Sequence, residues 1–355
     1  MVKRCLRGLA FSLFISTWAA AQQSPALAPR TDTTPAPAAP NATGRIHLDV
    51  VVTDPSGKPV SGLDVKDFAV LDNNLPSPIL SFHAFDPGTP LVEPPVEVIL
   101  VVDDVNLAPQ GVALARQDVA GYLRQNGGHL AQPTSLFILT DTGMKARLKP
   151  TTDGNALAEE LDQAVIGQRS IAPSQGVNGA VERFQKSIQM MTAIANAEAK
   201  KPGRKLLIWA GPGWPMLDRL ITDKGQQQFF NWIVELSTRL REARIAVYSI
   251  SRGESHLGMN LYQDYLKGVK TLDNAASPDL ALKVLAVQTG GRVLGPVNDL
   301  AGQIDQCVQD AGSYYTLSFD TPRADRANEY HDLNVQIGKP GLTARTRTGY
   351  YNQPN

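Results

Sequence analysis

Near its start the chain alternates Ile46, Leu48, Val50 and Val52 with His47, Asp49 and Val51, the period-two pattern of a half-buried strand. Asp54-Pro-Ser-Gly57 turns that strand. Val60 to Leu63, Phe68 to Leu71 and Ile79 to Phe85 read as further short strands between Gly, Asn and Pro turns. The same grammar returns at the far end in Tyr314 to Phe319, His331 to Ile337 and Leu342 to Tyr351. Neither group buries much apolar surface by itself, so residues 45–90 and 312–355 are expected to pair into one small β-sandwich.

The segment between them alternates strands with amphipathic helices. Val96 to Val102 is an apolar run broken only by Glu97, as expected of a parallel strand buried on both faces. A helix follows from Gln110 to Gln125 with Val112, Ala115, Val119 and Leu123 on one stripe. Ser135 to Thr140 is the next strand, Ala146 to Lys149 lies beside it, and Asp153 caps a helix carrying Leu157, Leu161 and Val165. Then come a helix over 177–199, a buried strand over 205–210 stopped by Gly211-Pro-Gly213, and a helix over 229–241. A strand over 245–250, a helix over 279–288, a short strand over 292–294 and a helix over 300–310 complete the segment. The pattern predicts an α/β fold, a doubly wound, mostly parallel sheet of Rossmann-like build over 95–311, inserted into the β-sandwich. Such an insertion is tolerable because loop closure costs only about 0.6 kcal/mol more per doubling of length.

The first residues change the setting rather than the fold. Lys3, Arg4 and Arg7, the apolar run Leu9 to Ile15 and the small residues Ala19-Ala20-Ala21 form a signal-peptide pattern over 1–21. Export to the periplasm or beyond is therefore expected, the alternative being an uncleaved anchor. Residues 22–44 read as a Pro/Ala-rich linker. No other stretch is long and apolar enough to span a bilayer, so no membrane span is expected after signal cleavage. Cys5 sits in the basic start, unlike a lipid-modified cysteine, which leaves Cys307 alone, a small buried hydrophobe or a reactive thiol. The 34 basic residues balance the 34 acidic ones, which gives no electrostatic reason to expect nucleic acid as a partner.

Glu97-Val-Ile-Leu-Val-Val-Asp103 followed by a helix, Leu136-Phe-Ile-Leu-Thr-Asp141, Leu148-Lys-Pro-Thr-Thr-Asp153, Lys205-Leu-Leu-Ile-Trp209 and Ala246-Val-Tyr-Ser-Ile250 together resemble a von Willebrand factor type A (VWA) domain. Over residues 45–351 the chain resembles more closely the VWFA-related domain proteins of acidobacteria. The shared features are Leu48-Asp-Val-Val-Val-Thr53, Gly62-Leu, Asp67-Phe68, Thr289-Gly-Gly-Arg292, Tyr314-Tyr-Thr-Leu-Ser-Phe319 and Thr346-Arg-Thr-Gly-Tyr-Tyr351.

The resemblance implies a metal site of the form Asp-x-Ser-x-Ser after the first strand, with a Thr from a later loop and an Asp after the fourth strand. Here the first strand runs into Asp103-Asp-Val105-Asn-Leu107, with apolar residues at both serine positions. No carboxylate follows Trp209-Ala-Gly211, and the stretch Ser170 to Ser174 supplies no Thr. A degenerate site is the expectation, holding no cofactor or a weak divalent cation, Mg²⁺ or Ca²⁺, on Asp103, Asp104 and Asp141. The bland reading makes Asp103, Asp104, Asn106 and Asp141 turn and cap residues, and the other makes them a partner-binding rim. Gly211, Gly213 and Trp214 join that candidate rim, with Trp214 either an exposed anchor or folded back over the sheet. Tyr314-Tyr315 and Tyr350-Tyr351 read as strand packing rather than a sugar platform.

Five histidines without HExxH spacing, and the absence of a Gly-x-Ser-x-Gly elbow, a phosphate loop or a GxGxxG turn, point away from catalysis. The expected function is an exported protein-interaction module that binds a protein partner in the envelope or outside the cell. The alternatives are a metal-dependent adhesion or ligand-binding receptor and a ligand-free envelope scaffold.

Overall fold

A computed structural model describes residues 44–86, 93–165, 176–215, 223–252 and 259–354. The signal-peptide expectation, residues 22–43 of the expected linker and Ser170 to Ser174 lie outside the described residues.

Two four-stranded antiparallel sheets join the two ends of the chain. Strands β1 (Arg45–Thr53), β4 (Ser81–Phe85), β10 (Tyr314–Asp320) and β12 (Thr343–Arg345) form one sheet in the order β12-β1-β10-β4. Strands β2 (Phe68–Asp72), β3 (Leu75–Ser77), β11 (Glu329–Ile337) and β13 (Gly349–Asn352) form the other, in the order β13-β11-β2-β3. Each sheet thus takes strands from both termini, with β1 on β10 and β2 on β11. The alternation in β1 sends Leu48, Val50 and Val52 into a core shared with Phe68, Val70, Tyr315, Leu317 and Tyr350. Val51 faces the other way and packs with Phe85, Val96 and Tyr314 into the core of the α/β segment.

Residues 60–63 form no strand among the named elements. Tyr315 explains why: its hydroxyl donates to the Val60 carbonyl at 2.9 Å and accepts from the Leu63 amide at 3.2 Å. Those backbone groups are satisfied by a side chain instead of a ladder. The single strand expected over 342–351 is two, β12 and β13. Between them the Thr348 amide bonds to the Gln288 carbonyl at 3.1 Å and the Thr348 carbonyl accepts from Leu333 at 2.8 Å. Residues 292–294 likewise make only a single bridge, Val293 to Ser249.

The third sheet has five strands in the order β7-β6-β5-β8-β9. These are β5 (Glu97–Asp103), β6 (His129–Thr140), β7 (Gly143–Asp153), β8 (Lys205–Ala210) and β9 (Ile245–Ile250). β6, β5, β8 and β9 run parallel and β7 antiparallel, so the sheet is mixed. Alternate residues of one strand feed two different cores. Ile99 and Val101 of β5 pack with Leu207 and Trp209 against α3 (Gly176–Glu198), α4 (Asp223–Glu242) and α5 (Leu282–Gln288). Val98, Leu100 and Val102 pack with Leu206 and Ile208 against α1 (Pro109–Leu123), α2 (Gly154–Gln163) and α6 (Leu300–Val308). Asp153 caps α2 by accepting from the Ala156 amide at 3.0 Å. Cys307 on α6 is fully buried, and burial pushes its thiol far above the ordinary range, which suits a packing role and not a reactive one.

Among the described residues no helix is long and apolar enough to cross a membrane.

Candidate functional site at the carboxyl edge of the parallel strands

The chain leaves β5 toward β6 on one side and later returns to add β8 on the other. The point where strand order reverses therefore lies between the carboxyl ends of β5 and β8, the place where open α/β sheets bind ligands. Asp103 ends β5 there, and Gly211 follows β8.

Asp103 is fully buried, and both of its carboxylate oxygens are engaged. Oδ1 accepts from the Val105 amide at 3.0 Å and the Asn106 amide at 2.9 Å. Oδ2 accepts from Asn106 Nδ2 at 2.8 Å and Trp209 Nε1 at 2.9 Å. Burial pushes the Asp103 carboxyl above its ordinary range, and the hydrogen bonds from Asn106, Trp209 and Val105 only partly offset that push. Asn106 Nδ2 also donates to Ser187 Oγ on α3 at 3.0 Å, and Ser187 Oγ donates to the Arg183 carbonyl at 2.9 Å. The carboxylate holds a tight turn after the strand and ties it to the strand and helix on one face.

Asp104 points to the other face, as alternation requires of consecutive residues. Its carboxylate forms a buried ion pair with Arg116 of α1, whose Nε lies 3.2 Å from Oδ1 and whose Nη2 meets Oδ2. The same guanidinium donates to the Ala164 carbonyl at the end of α2. The Asp104 amide bonds to the Leu139 carbonyl at 3.0 Å, closing the β5 end onto β6. Asp141 follows β6 and is buried at this edge. Asp103 and Asp104 thus belong to separate networks on opposite faces of the sheet.

Gly211 and Gly213 have steric reasons to be glycine. A Cβ on Gly211 would stand 2.7 Å from Asp103 Cβ, so a larger residue would push the β8 end away from the carboxylate. Gly213 has φ +81° and would bring a Cβ to 3.0 Å from Leu282 Cβ. That left-handed turn folds Trp214 inward. Its ring stands edge-on to Trp209 at 5.2 Å, its Nε1 donates to the Leu280 carbonyl at 2.9 Å, and 7% of its surface is exposed. Of the two readings of Trp214, the structure shows the folded-back one: the turn at Gly213 lets the indole cover the core, where the Leu280 carbonyl satisfies its N–H. Tyr314, Tyr315, Tyr350 and Tyr351 are all buried in strand packing.

The structure gathers Asp103, Asn106, Gly211, Gly213 and Trp214 into one contiguous cluster. Sequence reasoning missed Trp209, Ser187 and Arg116, which complete the two networks. For Trp209 a signal was available, since its indole N–H near the end of a buried strand needs an acceptor. Ser187 and Arg116 lie mid-helix, where nothing in the local pattern marks a distant partner. Among the described residues no cluster of three His, Cys, Asp or Glu side chains is placed to hold a metal ion.

No protein-family model and no curated protein matches the chain. Among solved structures, proximal thread matrix protein 1 of the mussel byssus is similar at TM-score 0.31 and 12% identity, covering 61% of this chain and 48% of that one. The human COPII-coat protein Sec24c is similar at TM-score 0.34 and 10% identity, covering 74% of this chain and 44% of that one. The chain spans less than half the length of either.

Proposed function

We propose that this chain is an exported, non-catalytic interaction module. In this reading a VWA-like domain inserted into a β-sandwich contacts a protein partner through the carboxyl edge of its sheet, without a metal ion. The observation that carries it is the state of the two leading carboxylates. Asp103 accepts four hydrogen bonds and Asp104 is neutralised by Arg116. Hard-cation sites need several oxygens converging on one point with lone pairs to spare. Here those lone pairs are directed into the turn and into a guanidinium.

The rim itself offers contact surface. Met144, beside the carboxyl end of β6, is 41% exposed, and Val297, bridged to Arg252 beyond β9, is 46% exposed. Five strands at the usual spacing put roughly 19 Å between the outer ones, enough for a peptide segment or loop to lie across. Pro212 stands exposed between them.

The test is site-specific photocrosslinking in the cells that make the protein. A photoreactive residue at Thr142 or Pro212 is compared with one at Lys200, beyond the opposite end of the sheet, with and without EDTA. A discrete protein adduct at Thr142 and Pro212, absent at Lys200 and unchanged by EDTA, supports the proposal. Loss of that adduct in EDTA moves the assignment to a metal-dependent receptor, and no rim-specific adduct leaves the scaffold.

A further inference from the structure

A second site lies at the other end of the α/β sheet, where its amino edge meets β1 and the connection between β12 and β13. A cavity of about 20 Å³ there is lined by Arg204, Arg241, Arg244 and Arg347, with Asp49 as its one carboxylate. It is assembled from five distant stretches of chain. Two of them, Thr289-Gly290 and Thr346-Arg347, belong to the segments noted above for their resemblance to VWFA-related proteins.

The charges do not balance. Arg244 is satisfied: Nε and Nη2 grip Asp49, and Nη1 donates to Glu93 Oε2 at 2.7 Å. Burial works to raise the Asp49 carboxyl, and Arg244 outweighs it, holding the group ionised below its ordinary value. That pair engages both oxygens of the lining carboxylate, whose charge is also felt by Arg204 and Arg347. Arg204 is 2% exposed, donates only to the Asp310 carbonyl at 2.6 Å, stacks over the Tyr314 ring at 4.7 Å and leaves Nε without an acceptor. Arg241 pairs with Glu242 at 3.7 Å through Nη2 and keeps a buried Nε without an acceptor. Arg347 is 7% exposed and lines the cavity beside them. Thr346 Oγ1 on the same wall is buried and unpartnered too. Burial, with Arg241 adding to it, pushes the Arg347 guanidinium down to about 9.

Guanidinium nitrogens buried without acceptors are costly, and the chemistry that removes the cost is a negative charge among them. The available room selects its size. A water molecule needs at least about 10–15 Å³ by the same kind of measure, so this cavity takes one small ion and not an extended ligand. We propose that the cavity is a binding site for a single monatomic anion of chloride size, held by Arg347, Arg241, Arg204 and the Thr346 hydroxyl. The anion would fix the β12–β13 connection against the end of the α/β sheet and so lock the two parts of the fold together.

The test compares the full chain in sodium chloride, sodium bromide, sodium sulfate and sodium gluconate at equal ionic strength. Chloride and bromide are expected to raise the melting temperature above the gluconate value by about 5 °C at saturation. Sulfate is expected to act like gluconate. In gluconate, Arg347→Met should melt no lower than the wild type, because it removes an uncompensated charge, and chloride should add nothing to it. No halide effect in the wild type, an equal effect in Arg347→Met, or a larger effect of sulfate would overturn the proposal. Should Arg347→Met fail to fold, wild-type crystals grown in bromide decide: an anomalous peak within hydrogen-bonding reach of Arg347 supports the site, and an empty cavity refutes it.

Discussion

Replacing Asp103 with alanine separates a turn-holding carboxylate from a metal ligand. The substitution strips the acceptor from four donors. Two of them, the Val105 amide and Trp209 Nε1, belong to residues that are 3% and 0% exposed and cannot turn to solvent. Each buried donor left unpaired costs about 1–3 kcal/mol, while the Asn106 groups, being only partly buried, can recover water. Relief of the burial that raises the Asp103 carboxyl returns part of this, leaving a net loss of about 3 kcal/mol. At roughly 2–4 °C per kcal/mol, the melting temperature should fall by about 6–12 °C. Asp103→Asn should fall between, since its amide keeps one acceptor oxygen but meets donors where Oδ2 stood. The assay is thermal and urea unfolding in EDTA, repeated in millimolar Mg²⁺, Ca²⁺ and Mn²⁺. The expected loss is already present in EDTA and is the same size with each ion. The turn-holding role is refuted if Asp103→Ala matches the wild type in EDTA while the wild type alone gains stability from a cation.

Three other changes probe neighbouring parts of the argument. Gly211→Ala forces a Cβ against Asp103 Cβ and should destabilise by about 1–3 kcal/mol in urea unfolding; a neutral result would mean the β8 end is free to move. Arg116→Met leaves Asp104 buried without its cation and should cost about 3–5 kcal/mol at pH 7, a cost that Asp104→Asn in the same chain should largely relieve. Asp279, 3% exposed and accepting from the Ala276 amide at 2.8 Å, has its carboxyl pushed up to about 7 by burial. A raised carboxyl favours the folded state when protonated, so its contribution is full below about pH 4 and is lost as pH rises to about 7. Asp279→Asn should therefore remove up to about 4 kcal/mol of that decline, and parallel stability–pH curves for the two proteins would refute the assignment.

Much of the framework was written locally. The apolar run Val98 to Val102 reads as a strand covered on both faces, and every residue of β5 is buried. The alternation in β1 fixed which side of that strand meets the other sheet. The alternation of strands and helices between residues 97 and 308 fixed the α/β layer. The expectation that the chain's two ends share sheets came from a simple shortage, too few strands at either end to bury their own faces. The cap at Asp153 was legible because an N-cap and the helix it starts are neighbours in sequence.

What the sequence left undecided depends on partners far along the chain. Whether residues 60–63 join a ladder was decided by the hydroxyl of Tyr315, some 250 residues away. Whether Trp214 stands out or folds in was decided by the Leu280 carbonyl and the face of Trp209. Whether Asp103 and Asp104 meet at a cation or diverge was decided by Trp209 and Arg116 on opposite faces of the sheet. The arginine cluster had no local signature at all, because Arg204, Arg241 and Arg347 lie in three segments with no shared period. Periodicity encodes which face of an element is buried, but the charge balance and hydrogen-bond satisfaction of a buried point are sums over everything that converges there. Only the tertiary structure performs that sum.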